Sequence, residues 1–338
     1  MVRSEKRNPF WLIPLGILLA GILLTGLILC LDQQTEGEDT SVLNTPKGCF
    51  RILVAARDRT SGLCDVMMLV CLDRDRDTLS VLQIPRDTYA SFGNDSYRKI
   101  NGAPLCEGGM AVFRDALSEA LCLPIDRYVL LSADAFRKGV EALGGVEITL
   151  SEPMDYEDPA QGLSIHLKAG RSTLNGKEAE WFVRYRADYV RGDLGRLDAQ
   201  KIFLAAFAKK AMETRSPLRL VRLASSLMSE VQTDLGFSDL TVLAEEAMSL
   251  SAEALSLVSA PGEEARGKSG GSYYVLSRPG LDELLRSHFG KETEGVDPKG
   301  RFLYTANAEF RRIYESKADY RVYTASEIGK EGILIPRT

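Results

Sequence analysis

Arg51-Ile-Leu-Val-Ala-Ala56, Asp65-Val-Met-Met-Leu-Val-Cys-Leu72 and Thr78-Leu-Ser-Val-Leu-Gln-Ile84 are three apolar runs in close succession. The polar stretch Arg57 to Gly62 bounds the first, Asp73-Arg-Asp-Arg-Asp77 the second, and Pro85 ends the third. Runs of this length between turn-forming residues read as strands. Connections this short favour an antiparallel meander. The first strand then ends, the second begins and the third ends at one edge, which gathers Asp58, Asp65, Arg86 and Asp87. Two carboxylates on adjacent strand ends suit a hard divalent cation whose shell is completed by phosphate oxygens and water. The alternative is that Asp58 and Asp65 are turn residues only.

Working outward, the densest chemistry lies in Trp181-Phe-Val-Arg-Tyr-Arg-Ala-Asp-Tyr-Val-Arg-Gly-Asp-Leu-Gly-Arg-Leu-Asp-Ala-Gln200. Arg184 and Arg186 are two apart, so an extended backbone would aim both at one side. After Gly192 and Gly195 the pattern becomes helical, and Arg196 and Gln200, four apart, share a face. A strand end, a glycine-containing loop and a helix start would thus converge up to four donor-rich side chains. Guanidinium forks match phosphate oxygens bidentately and keep their charge, so the stretch reads as a phosphate or pyrophosphate site. A solvated arginine-rich loop is the competing reading, opposed by the apolar flank Trp181-Phe182-Val183.

The remaining pattern mixes both element types. Helices are expected over about 109–121 and 134–143, the latter stopped by Gly144-Gly145, with a glycine suited to the left-handed cap. Val146 to Leu150 is strand-like, and Asn175-Gly opens a short helix leading into the arginine stretch. Further helices are expected at about 197–213, 217–231 and 238–256, then a strand at Tyr273–Leu276 and a helix from Leu281 to Phe289. Such a mixture points to an α/β sandwich. From about residue 293 the chain is more polar, with Tyr304, Phe310, Tyr314, Tyr320 and Tyr323 as candidate docking groups.

At 338 residues and 45% hydrophobic content the chain can bury a full core, while a net charge of −5 argues against a nucleic-acid binder. Phe10 to Leu31 is 22 residues without a charge. That length crosses a bilayer as a helix. Arg3, Lys6 and Arg7 precede it and Asp32, Glu36, Glu38 and Asp39 follow. The positive-inside bias therefore puts the short N-terminus in the cytoplasm and the rest outside the cell membrane. A cleaved signal peptide fits less well, because the run is long and no small-x-small site follows it.

Five cysteines in the outer part (Cys49, Cys64, Cys71, Cys106, Cys122) have no CxxC spacing, so neither a disulfide framework nor a zinc site is indicated. Cys71 and Cys122 lie in apolar runs and read as small buried hydrophobes. With only His166 and His288, and no nucleophile-elbow serine, triad chemistry and histidine-bound metals are poor readings.

Taken together, these residues resemble the LytR-CpsA-Psr family of cell-wall glycopolymer transferases. The resemblance rests on Ile52 to Asp58, Asp65-Val-Met-Met-Leu69, Ile84-Pro-Arg-Asp-Thr88, Lys99-Ile-Asn101 with Gly108-Gly109, Leu143-Gly-Gly-Val146 and Leu174 to Gln200. It covers roughly residues 48–292, and the ordered set Arg-x-Arg, Gly-Asp-x-x-Arg and Gln is its specific part. The implied architecture is an α-β-α sandwich with a central mixed sheet, preceded by one transmembrane helix. The chain would divide into a cytoplasmic 1–9, a transmembrane 10–31, an extracellular tether 32–47, a catalytic domain 48–292 and a C-terminal extension 293–338.

The resemblance also implies a chemistry. A polyisoprenyl (pyro)phosphate-linked glycan, of the teichoic acid or capsular polysaccharide kind, would donate its glycan phosphate to a peptidoglycan acceptor. Its lipid tail would lie in an apolar pocket and a magnesium ion, or manganese in its place, at the head group. By position, Asp58 and Asp65 match the metal carboxylates, and Arg86, Arg184, Arg186, Arg196 and Gln200 the pyrophosphate contacts. Asp87 and Asp193 are candidates to assist the acceptor hydroxyl or to orient an arginine, and Arg196 to stabilise the transferring group. Leu63-Cys64-Asp65 stands where many members have Arg-Ser-Asp, and Ala56 replaces a glycine. The missing arginine keeps a second reading open, a non-catalytic or regulatory binder of polyprenyl-phosphate-linked intermediates.

Overall fold

The computed structural model describes residues 48–57, 62–91, 99–158, 163–213, 231–236, 239, 243, 246, 250–267, 270–297, 302–303 and 307–331. The expected segments 1–9, 10–31 and 32–47, Asp58, and nearly all of the helix expected at 217–231 lie outside them. No helix among the described residues is long and apolar enough to cross a membrane.

The three opening runs form β1 (Cys49–Arg57), β2 (Cys64–Asp73) and β3 (Thr78–Ile84), antiparallel as the short connections require. Their side chains alternate between two cores. Ile52, Val54, Val66, Met68 and Val70 enter one, while Leu53, Ala55, Met67 and Leu69 enter the other. A sheet covered on both faces needs apolar residues at every position, which is why β2 reads as a continuous run.

Helix α1 (Gly109–Leu121) leads to β4 (Arg127–Leu131), which lies parallel to β1. Helix α2 (Ala133–Ala142) is capped by the Ser132 side chain and is followed by Gly144 and Gly145 at φ +76° and +90°. The left-handed stop expected there is present. Two hairpin-like sheets follow, β5 (Val146–Leu150) with β8 (Gly170–Leu174), and between them β6 (Met154–Asp158) with β7 (Leu163–Leu167). Helix α3 (Gly176–Arg184) opens on a capping box from Asn175 and Glu178, and the long α4 spans Asp193–Glu213.

The rest departs from the sequence expectation in places. Val231, expected to close a helix, begins β9 (Val231–Thr233), and Leu255, expected near the end of another, begins β10 (Leu255–Ser259). β10 docks parallel to β3, and its registration in the sheet outweighs the helical spacing of its apolar residues. β11 (Gly262–Arg266) and β12 (Ser272–Leu276) form a separate hairpin before α5 (Arg278–His288). α6 (Ala308–Glu315), β13 (Tyr323–Thr324) and α7 (Ala325–Glu331) complete the described chain.

Among the described residues the central sheet has seven strands in the order β13-β10-β3-β2-β1-β4-β9, with both parallel and antiparallel pairs. Phe136, Phe182, Phe203 and Phe207, from α2, α3 and α4, pack on one face. Phe113, Leu117, Leu284, Phe310 and Tyr314, from α1, α5 and α6, pack on the other. The result is the expected α-β-α sandwich with a mixed sheet. Described residues beyond 293 belong to it, since Val296, Phe302, Phe310 and Ile313 are core residues and β13 pairs with β10. Of the candidate docking groups, Phe310 and Tyr314 are buried. Cys71 is buried as expected, but Cys122 is half-exposed at the left-handed end of α1, with φ +49°.

Candidate functional site

The meander edge delivers its residues as the register required, with Arg57 opposite Cys64 and Met67 opposite Ile84. Arg86, just past β3, donates from Nη1 to Asp65 Oδ1 at 2.8 Å. Both are buried, Asp65 at 3% and Arg86 at 6% exposure. Asp65 thus lies within β2 as a buried, ion-paired carboxylate.

The arginine stretch has a different backbone from the one its spacing suggested. Arg184 is the last residue of α3 rather than a strand residue, and Arg186 follows the cap residue Tyr185, whose φ and ψ are −59° and 138°. Two linked turns then carry the chain to α4, through Tyr189 N to Arg186 O at 3.2 Å and Gly192 N to Tyr189 O at 2.8 Å. Gly195 lies so close to Tyr189 that a Cβ there would approach the tyrosine Cβ to 2.7 Å. This contact sets the first turn of α4 against the loop. Gln83, buried at the end of β3, donates to Leu197 O at 3.2 Å and ties α4 to the strand that presents Arg86.

Asp65, Arg86, Arg186, Asp193 and Arg196 are thereby brought within electrostatic reach of one another. Arg196 Nη2 contacts both Asp193 oxygens, at 2.7 and 2.8 Å, and Arg86 Nε lies 3.7 Å from Asp193 Oδ1. Burial works against the Arg86 charge, but Asp65, Asp193 and Asp87 outweigh it and hold its pKa above the ordinary value. Arg186 is shifted down, by burial first and then by the like charge of Arg86. Burial pushes Arg196 down to about 10 despite Asp193. Three guanidiniums against two carboxylates leave this set net positive.

Arg196 is 1% exposed and Gln200 is wholly buried one turn further along the same face. Arg196 Nε and Nη1, and both amide atoms of Gln200, have no hydrogen-bond partner. Buried polar atoms of this kind each cost about 1–3 kcal/mol. The donors among them, Arg196 Nε and Nη1 and Gln200 Nε2, stand beside a cationic cluster, an arrangement that can take the oxygens of an anion.

The other expected residues fall as follows. Arg184 is buried and donates from Nη1 to Glu180 Oε1 at 2.9 Å, while Arg137 Nε binds the other oxygen of that carboxylate. Asp87 Oδ1 accepts from Lys99 Nζ at 2.7 Å, with its side chain 27% exposed. Asp58 lies outside the described residues. Among the described residues no cluster of three or more potential metal-binding acids, cysteines or histidines is present. Asp65 is a hard oxygen donor of the kind magnesium takes, and its Oδ1 accepts from Arg86.

Sequence reading missed Glu180, which is 1% exposed and bridges two arginines. The signal was present, because Glu180 and Arg184 are four apart, but it appears only once 176–184 is read as helical. It also missed Lys201, fully buried against Asp198 at 2.8 Å. Burial lowers the Lys201 pKa, with Asp198 opposing.

Fold and site together define an α/β sandwich protein with a buried, net-positive cluster of arginines. Comparison with known proteins gives the family: residues 30–289 match the LytR_cpsA_psr family, and the chain belongs to it. It is 28% identical over 266 residues to the polyisoprenyl-teichoic acid–peptidoglycan teichoic acid transferase TagU of Oceanobacillus iheyensis, covering 71% of this chain and 81% of that one. The crystal structure of Bacillus subtilis TagV superposes with a TM-score of 0.60 at 26% identity, covering 74% of this chain and 100% of that one. A structure of TagT bound to LIIa-WTA has a TM-score of 0.59 at 24% identity, covering 76% and 97%, a likeness of fold.

Proposed function

We propose that the protein is a membrane-anchored phosphotransferase that moves a glycopolymer from a polyisoprenyl (pyro)phosphate carrier onto peptidoglycan. The observation that carries this reading is Arg196, buried to 1% with two N–H donors unpaired beside a net-positive cluster. A diphosphate would supply the missing acceptors. The relative named as a teichoic acid transferase points to the glycan side of the reaction.

In this reading Arg86, Arg186, Arg196 and Gln200 hold the pyrophosphate oxygens, with Arg184 at the end of α3 supporting them. An acceptor sugar hydroxyl attacks the glycan-bearing phosphorus as the bond to the carrier's bridging oxygen breaks. The glycan phosphate becomes a phosphodiester and the lipid phosphate leaves with the bond's electron pair. Asp193, paired with Arg196, would orient that arginine, whereas the more exposed Asp87 would take the hydroxyl proton. Asp65, joined by Asp58, would hold magnesium or manganese, which supplies charge neutralisation on the phosphate oxygens. Positioned charges of this kind are the main catalytic resource for phosphoryl transfer.

The half-buried Leu63 directly before β2 favours the second reading, a binder without turnover. Turnover of a labelled lipid-linked oligosaccharide by the full chain separates the two. Transfer to peptidoglycan that stops with chelator and returns with magnesium supports the transferase; tight binding without transfer supports the binder.

A further inference from the structure

Next to the anion cradle lies a group of side chains that phosphate binding does not use. Tyr89 and Tyr273 meet edge to face with centroids 5.7 Å apart, and Phe310 closes the trio at 5.4 and 5.5 Å. Phe310 is buried, while both tyrosines are half-exposed. Lys99 Nζ stands 5.6 Å above the Tyr273 ring and binds Asp87, so an ion pair borders the aromatic surface. Gly267 and Gly271 run along the edge of the Tyr273 ring; a Cβ at either would come within 2.9 or 3.2 Å of Cε2.

The support is stiff. Tyr89 N donates to Tyr274 O and Tyr274 N to Asp87 O, each at 2.8 Å. On the other side, Ile100 N donates to Thr88 O at 2.8 Å and Asn101 N to Arg86 O at 3.3 Å. Residues 86–89 are thus stitched between β12 and the 99–101 segment. Arg86 and Asp87 are consecutive, about 3.8 Å apart along the backbone. Asp87 is also within electrostatic reach of Arg86 and Arg186, so the rim of the tyrosine group adjoins the arginine cluster.

We propose that Tyr89 and Tyr273, with Asp87 and Lys99 at their rim, form a shelf for a pyranose ring. A pyranose has an apolar C–H face, which suits a rigid tyrosine ring, and an edge of hydroxyls, which suits a carboxylate–ammonium pair. The shelf rests on the reading of the adjacent site as a pyrophosphate cradle for a glycan transferase. It would present a sugar hydroxyl to Asp87 beside the phosphorus.

The test uses the full chain in detergent micelles and three probes: a peptidoglycan disaccharide, a polyprenyl pyrophosphate bearing a disaccharide, and the same lipid without sugar. Tyr273→Leu keeps apolar packing against Phe310 but removes the flat ring, and Lys99→Met leaves the aromatic trio intact. Both variants should weaken disaccharide binding about tenfold if the shelf serves the acceptor. If it serves the donor, they should abolish the affinity advantage of the sugar-bearing over the sugar-free lipid. Both sugar-dependent affinities within twofold of wild type in folded variants would overturn the shelf. Sugar-free lipid, compared between wild type and Arg186→Gln, reads the cradle separately, so the two assignments fail independently.

Discussion

Arg86 Nη1 donates to Asp65 Oδ1 at 2.8 Å, joining the second residue after β3 to the start of β2 inside the protein. The carboxylate proposed to hold the metal and the guanidinium proposed to hold phosphate are thus partners of each other. On the proposed reading a phosphate would share Arg86 with Asp65, and a cation would share Asp65 with Arg86.

This pairing changes what Asp65→Ala should do. Removing one partner of a buried ion pair costs about 3–5 kcal/mol. Asp193, 3.7 Å from Arg86 Nε, offers partial compensation, so a loss near about 3 kcal/mol is expected, together with loss of transfer. Urea denaturation reads it, and an unchanged midpoint would show that Asp65 does not hold Arg86.

Glu180 should be coupled to Arg184. The carboxylate is 1% exposed and serves both Arg137 and Arg184, so Glu180→Leu should destabilise by about 3 kcal/mol or more. Adding Arg184→Leu should recover part of that loss, with a coupling of at least about 1 kcal/mol in the double-mutant cycle. Additive effects would mean the two act independently.

Arg196→Gln should lower affinity for inorganic pyrophosphate about tenfold or more. Its depressed pKa gives a further sign. Below about 10 the folded protein carries the desolvated cation, and as pH rises through that value towards the ordinary guanidinium range the unfolded state holds more protons. The unliganded protein therefore gains stability from this group in that window, while pyrophosphate loses a cationic partner. Calorimetry should show steady affinity near neutrality, a decline through about pH 10, and a shrinking difference between wild type and Arg196→Gln.

Leu63→Arg should raise transfer or reduce the magnesium needed for half-maximal rate. Leu63 is half-buried immediately before β2, two residues from Asp65. A guanidinium there would add positive charge for the diphosphate. A magnesium titration decides it, and a variant identical to wild type would place Leu63 outside the cradle.

If residues 10–31 span the membrane with Arg3, Lys6 and Arg7 inside, protease added to intact protoplasts should remove the domain beyond residue 47. Full protection would reverse the topology.

The sequence by itself determined the meander, because β2 and its neighbours need apolar residues on both faces and their connections allow only antiparallel pairing. It also determined which side chains could meet at the meander edge, since strand register converts the separation of Asp65 and Arg86 into a contact. It identified Arg196 and Gln200 as a shared helical face, a consequence of helical period alone. Three things were decided only by the tertiary structure. The backbone at Arg184 is a helix end, because the capping box at Asn175 and burial of Phe182 and Val183 outweigh local alternation. Leu255–Ser259 is a strand, because β3 offers it a parallel edge that no window of sequence contains. And the charge balance of the arginine cluster depends on Asp193 reaching Arg86 across the fold as well as Arg196 nearby. Periodicity encodes which face a side chain takes; long-range packing decides what it meets there.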